Sequence, residues 1–105
     1  MAYQSNRFIR TAGGLSNSGY NEWLLDTTDT LATVNTDGYV SDGATKGANV
    51  GDFVKVRVWS ALPTGSGPID AAATVTAFQL MVVASKGATS IDLTDGTAVS
   101  LTDTD

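Results

Sequence analysis

The groups in this chain that could do chemistry are carboxylates, hydroxyls and three lysines. Its 105 residues include eleven Asp and Glu but no histidine and no cysteine. Losing both residue types removes the commonest general base, the thiolate nucleophile and the usual zinc ligands together. A Ser or Thr nucleophile would have to take its base from Lys46, Lys55, Lys86, Glu22 or an aspartate. No nucleophile elbow, phosphate-binding loop or dinucleotide fingerprint occurs. These absences point away from an enzyme and away from a bound cofactor.

Oxygen-rich calcium sites are the remaining chemistry that carboxylates could serve. Asp26 with Asp29, Asp37 with Asp42, and Asp92 with Asp95 are the pairs close enough in sequence, yet none sits in a D-x-[DN]-x-[DN]-G loop. Turn and capping roles, in which a short acid bonds local backbone amides, account for them more simply. No metal is therefore expected. Trp23, Trp59, Tyr3, Tyr20 and Tyr39 could form a sugar-stacking platform, but aromatics in a small domain more often anchor a core or a subunit contact.

Composition narrows the partners. A net charge of −5 and a pI near 4.3, with only six Lys and Arg, leave no basic groove for nucleic acid. No apolar run approaches the roughly 18 residues that span a bilayer, and the opening MAYQSNRFIR lacks a signal-peptide core. Synthesis in the cytoplasm is the expectation. Charged residues make up only 16% of the chain, against about 25% in ordinary soluble domains. A surface of hydroxyls and small side chains favours packing against neighbours.

The elements that must position these groups read as β. Residues 1–14 read as an N-terminal arm or first strand, 15–102 as a single β domain, and 103–105 as an acidic tail. Tyr20 to Leu25 alternates, with Asn21, Trp23 and Leu25 on one side and Tyr20, Glu22 and Leu24 on the other. Val50 to Trp59 is the clearest strand, launched by a Gly51-Asp52 turn, with Lys55 and Arg57 alternating outward as a basic face against Val54, Val56 and Val58. Thr30 to Val34 fits either a strand or a short capped helix after Asp29, ended by Gly38. Leu62 to Asp70 is a loop. Ala71 to Ala84 is a strand that becomes buried on both faces near its end, and Lys86-Gly87 is a turn. Ile91–Leu93 and Thr97–Leu101 read as a hairpin around Asp95-Gly96. The predicted fold is all-β: a small antiparallel β-sandwich or β-barrel of about six to eight strands, with room for one short helix near residues 30–36.

The stretch Asp29 to Val58 also resembles a family of small tailed-bacteriophage virion proteins of the head decoration or head fibre type. The shared pieces are DTLATV at Asp29 to Val34, GYV at Gly38 to Val40, and the GD-led strand from Gly51 to Val58. Tyr20 to Thr28, centred on Trp23, matches the family's aromatic lead-in, while nothing specific matches from Leu62 onward. The resemblance implies a non-enzymatic cement protein on the capsid surface of the virion, partnered by the major capsid protein and assembled as a homotrimer. The alternatives are a tail or neck component and a carbohydrate-binding attachment module. Within this expectation Tyr3, Arg7, Phe8 and Arg10 of the arm are the candidate capsid contacts. Lys55, Arg57 and Trp59 are the candidate subunit or partner contacts.

Overall fold

A computed structural model of the chain describes residues 3–13, 21–63 and 67–101. Tyr20, the acidic tail at 103–105 and part of the 62–70 loop lie outside them. A single 3-10 turn, Ser5–Arg7, leads into β1 (Phe8–Gly13). Then follow β2 (Asn21–Thr27), α1 (Leu31–Val34), α2 (Gly43–Lys46), β3 (Phe53–Trp59), β4 (Val75–Lys86), β5 (Ile91–Leu93) and β6 (Thr97–Ala98). The chain is all-β, with two helices of four residues each among the described residues. Its strands form one open sheet in the order β1-β2-β3-β4-β5, with β6 also on β4.

The alternation in the strands sets which face is buried. In β2 the side chains of Asn21, Trp23, Leu25 and Thr27 are buried, as the period of two requires, and Asp26 on the other face is buried as well. In β3 the buried set is Val54, Val56 and Val58. Phe8 of β1, Met81 and Val83 of β4, and Ile91 and Leu93 of β5 join them. This inner face is covered by the segment between β2 and β3, which contributes Val34, Tyr39, Val40 and Ala48. Each fully buried side chain of this size adds about 1.5–3 kcal/mol of transfer free energy before entropy is counted.

Antiparallel pairing is not uniform. β1–β2, β3–β4 and β4–β5 are antiparallel, but β2 and β3 run parallel, with Glu22 opposite Phe53 and Asp26 opposite Arg57. Parallel neighbours need a long crossover, and residues 28–52 supply it. Because the crossover carries α1 and α2, it also serves as the second layer of the core.

Several local readings are settled here. Residues 31–34 form the helix rather than the strand, and its cap is Thr30, whose hydroxyl accepts from the Thr33 amide at 3.4 Å. Asp29 is not the cap; its carboxylate accepts from the Tyr39 hydroxyl at 2.7 Å. Leu31 and Val34 face inward as their spacing implies. The Gly51-Asp52 turn does launch β3, with Gly51 at φ +93° and the Asp52 amide donating to the Asn49 carbonyl.

The C-terminal hairpin is different from expectation. β5 and β6 do not pair with each other; both lie along the same strand, β4, with Val83 opposite Leu93 and Leu80 opposite Thr97. The turn of this hairpin is at Lys86 to Ser90, where the Gly87 amide donates to the Ser90 carbonyl. Gly96, at φ +83°, instead lets the returning chain step inward against β4. A Cβ there would sit 2.8 Å from the Gln79 and Met81 side chains and 3.0 Å from the Leu80 carbonyl oxygen. A positive-φ Asp-Gly pair serves a kink in a strand as well as a turn, which is why the two could not be told apart.

Candidate interaction face

The face of the sheet opposite the core carries several exposed apolar side chains among the described residues. The register puts Ile9 beside Leu24, Leu24 beside Lys55, and Lys55 beside Leu80. Phe53, Phe78 and Val82 continue the same face. The amide of Val99 donates to the Phe78 carbonyl, which extends the face toward the C-terminal segment. Ile9, Leu80, Val99 and Leu101 are 47%, 42%, 45% and 47% exposed. A core-forming sheet normally buries the apolar residues of both faces or makes one face polar, and this sheet does neither.

Polar groups on that face are matched to one another. Lys55 lies 3.7 Å from Glu22 across the parallel pair. Arg57 makes a two-pronged contact to Asp26, at 2.7 Å from Nε and 2.8 Å from Nη2. The Trp59 indole also donates to Asp26 at 2.9 Å, and the Arg57 guanidinium lies 5.1 Å from the centroid of the Trp59 ring. The expected basic face is thus neutralised by acids on β2. β3 is also an interior strand rather than an edge. The alternation revealed Lys55 and Arg57 but could not reveal partners contributed by a parallel neighbour. Lys55, Arg57 and Trp59 do come together here, as the sequence reading grouped them.

The N-terminal arm is built differently from a free docking arm. Phe8 is fully buried and stacks on Trp23, with ring centroids 4.6 Å apart and planes 3° from parallel. The hydroxyls of Tyr3 and Ser5 both donate to the Asp42 carboxylate, and Lys46 Nζ donates to the Ser5 carbonyl. Arg7 donates to the Gly67 carbonyl at 2.8 Å. Tyr3, Arg7 and Phe8 are therefore engaged within the chain, and of the four arm residues only Arg10 is exposed. Asp42, which holds the arm down, was legible only as one of a pair of turn acids; its partners lie far away in sequence.

This cluster makes docking of the arm pH-dependent. Partial desolvation raises the Asp42 pKa, but the Ser5 and Tyr3 hydroxyls, aided by the Lys46 charge, outweigh it and hold the carboxyl below the ordinary 3.8. A carboxylate with a lowered folded pKa adds stability above its unfolded pKa and loses it as pH falls through the folded value. Protection of the arm's amides, taken as exchange relative to the unfolded rate at the same pH, is expected to be high near neutrality and to fall once pH drops below 3.8. In Asp42→Asn that protection should be low already at neutral pH, and an unchanged pH profile in that variant would remove Asp42 from this role.

Other groups resolve into structural roles. Asp52 accepts from the Trp23 indole at 3.1 Å and from the Asn49 amide at 2.9 Å, inside the core. Burial raises the Tyr39 phenol pKa; the Thr27 hydroxyl opposes this and the Asp29 carboxylate adds to it. Tyr39 bridges Thr27 and Asp29 at 2.7 Å each. Asp95 accepts from Asn35 at 3.2 Å. Among the described residues, no three acids come together as a metal-holding group, and no helix is long and apolar enough to cross a membrane. A shallow pocket of about 230 Å³ is bordered by Ala61, Leu62, Pro63, Pro68 and Asp70. Its one carboxylate, Asp70, is occupied by the Ala72 amide at 2.9 Å.

Compared with known proteins, the chain matches no family model, no curated protein and no solved structure.

Proposed function

We propose that this chain is a non-enzymatic structural protein that works by packing against other protein subunits, as a capsid-decorating component of a phage virion. The observation that carries the packing role is the uncovered apolar sheet face whose charges are already matched within the chain. Such a face can be desolvated by a partner without stranding an unpaired charge. The virion setting rests on the resemblance from Asp29 to Val58. Many copies on a repeating lattice of major capsid protein would give avidity from a modest individual contact. The resemblance also implies a homotrimer, made in the host cytoplasm and carried on the capsid surface.

Immunogold labelling of intact particles tests the setting. Label spread over the head is expected; label at one vertex would place the chain in the tail or neck, and unlabelled particles would remove it from the virion. Deleting the arm is a poor test of capsid contact, because it would take Phe8 out of the core. Arg10→Glu leaves the core intact, and loss of co-sedimentation with capsids would assign Arg10 to the contact. The sugar-binding alternative is disfavoured by Trp59, whose indole donates to Asp26 and whose ring lies against Arg57.

A further inference from the structure

We infer that the open sheet face is occupied by a second copy of this chain, packed face to face about a two-fold axis. This inference rests on the reading of that face as an interface, and it names the occupant.

Charge is the first reason. The whole chain carries −5, yet the polar stripe across this face consists of two opposite-charge pairs, Lys55 with Glu22 and Arg57 with Asp26. Two identical faces can meet only if each is close to neutral, because like charges brought together without solvent are costly. A strongly charged partner would find little on this face to complement. A copy of the chain brings an equally neutral stripe.

Size is the second. The four strands β1 to β4, about 4.8 Å apart and paired over five to seven residues at about 3.3 Å each, give a face of roughly 19 by 23 Å, which the C-terminal segment beside β4 widens. With the relief of its side chains and the C-terminal segment added, that footprint approaches the lower end of the contacts that hold stable pairs, for which about 800 Å² per partner is standard. Two twisted sheets stacked about 10 Å apart with strands about 30° off parallel form an ordinary β-sandwich core. The apolar residues are spread from Ile9 on the β1 side to Val99 beside Phe78, and such a sandwich would cover them together.

Geometry is the third. One flat face is closed by a single two-fold operation, in which the same patch serves both copies. A ring about a three-fold axis uses two different surfaces of each chain and would leave a flat face of this kind only partly covered. The face therefore favours a pair over the trimer that the resemblance implies. Pairing would also cover the face that the crossover, packed on the other side of the sheet, leaves open.

The test is the mass in solution by light scattering coupled to size exclusion, on the full chain. The expected mass is twice the 10.8 kDa of one chain. Leu80→Glu and Val99→Glu each place a charge in the contact, once per copy, and should weaken the pair about 30-fold or more, giving the single-chain mass at low concentration. Thr45→Glu, exposed on α2 on the opposite side of the sheet, should leave the pair intact. Circular dichroism confirms folding, and Val99→Glu, in an exposed segment, stands in if Leu80→Glu does not fold. A single or triple mass for the natural chain overturns the inference. So does a double mass retained by a folded Leu80→Glu or Val99→Glu. A monomer that still decorates capsids would sink the pairing and leave the proposed function standing; a dimer absent from virions would do the reverse.

Discussion

Trp23→Ala is expected to remove about 4–8 kcal/mol of stability, the largest loss from any single substitution considered. The indole is only 2% exposed, stacks on Phe8 and donates to Asp52. Truncating a buried tryptophan costs about 3–5 kcal/mol through lost transfer energy and an unfilled cavity. Removing the indole N–H also takes one partner from a buried carboxylate, adding roughly 1–3 kcal/mol. Domains of this size have about 5–15 kcal/mol in total, so the loss consumes most of the margin at its lower end. Urea unfolding followed by circular dichroism measures it. Trp23→Phe narrows the comparison, since it keeps a ring against Phe8 while losing the bond to Asp52 and only part of the buried indole. If Trp23→Ala shifts the urea midpoint no more than Trp23→Phe, the stack is not what holds β1 to the core.

Gly96→Ala is the second large effect, and it acts through the backbone. A side chain at φ +83° costs about 1–2 kcal/mol in the left-handed region, and the new Cβ would meet the Leu80 carbonyl oxygen at 3.0 Å. The Gln79 and Met81 side chains, at 2.8 Å, would have to move as well, and overpacking of this kind costs a further 1–3 kcal/mol or so. The expected total is about 2–5 kcal/mol, measured as a lower unfolding midpoint. Gly38→Ala is the control: its φ is +83° as well, but nothing lies within 4 Å of the added Cβ. A similar shift in both variants would mean that the close approach to β4 contributes nothing.

Gly96 also illustrates what the sequence could and could not convey. The Asp-Gly signal correctly marked a positive φ, but a strand kink and a hairpin turn share that requirement, and only the partner strand distinguishes them. Alternation was more informative. It separated Asn21, Trp23 and Leu25 from Glu22 and Leu24, and Val54, Val56 and Val58 from Lys55 and Arg57. It marked Ala71 to Ala84 as a strand, though as one buried on both faces near its end rather than one whose Phe78, Leu80 and Val82 lie on an open face. Thr30 to Val34 could not be assigned because its β-branched residues favour a strand while Asp29 before it and Gly38 after it suit a capped helix, and the cap proved to be Thr30. The contacts of Asp42 with the arm and of Asp26 with Arg57 and Trp59 depend on chain crossings, and local spacing carries no trace of them. The parallel pairing of β2 with β3 is of the same kind.

That parallel pair has a consequence for how the molecule comes into being. Strands β3, β4 and β5 are consecutive antiparallel neighbours, whereas β2 meets β3 only after the whole 28–52 crossover has been wrapped over the sheet. Closing such a segment costs entropy before its contacts return anything, and non-local pairings of this kind slow folding. During synthesis, Phe8 and Trp23 leave the ribosome well before Val54 and Val56 emerge to cover them. The nascent chain thus carries its largest aromatic pair uncovered until β3 has emerged, and that interval is when a chaperone has the most to hold.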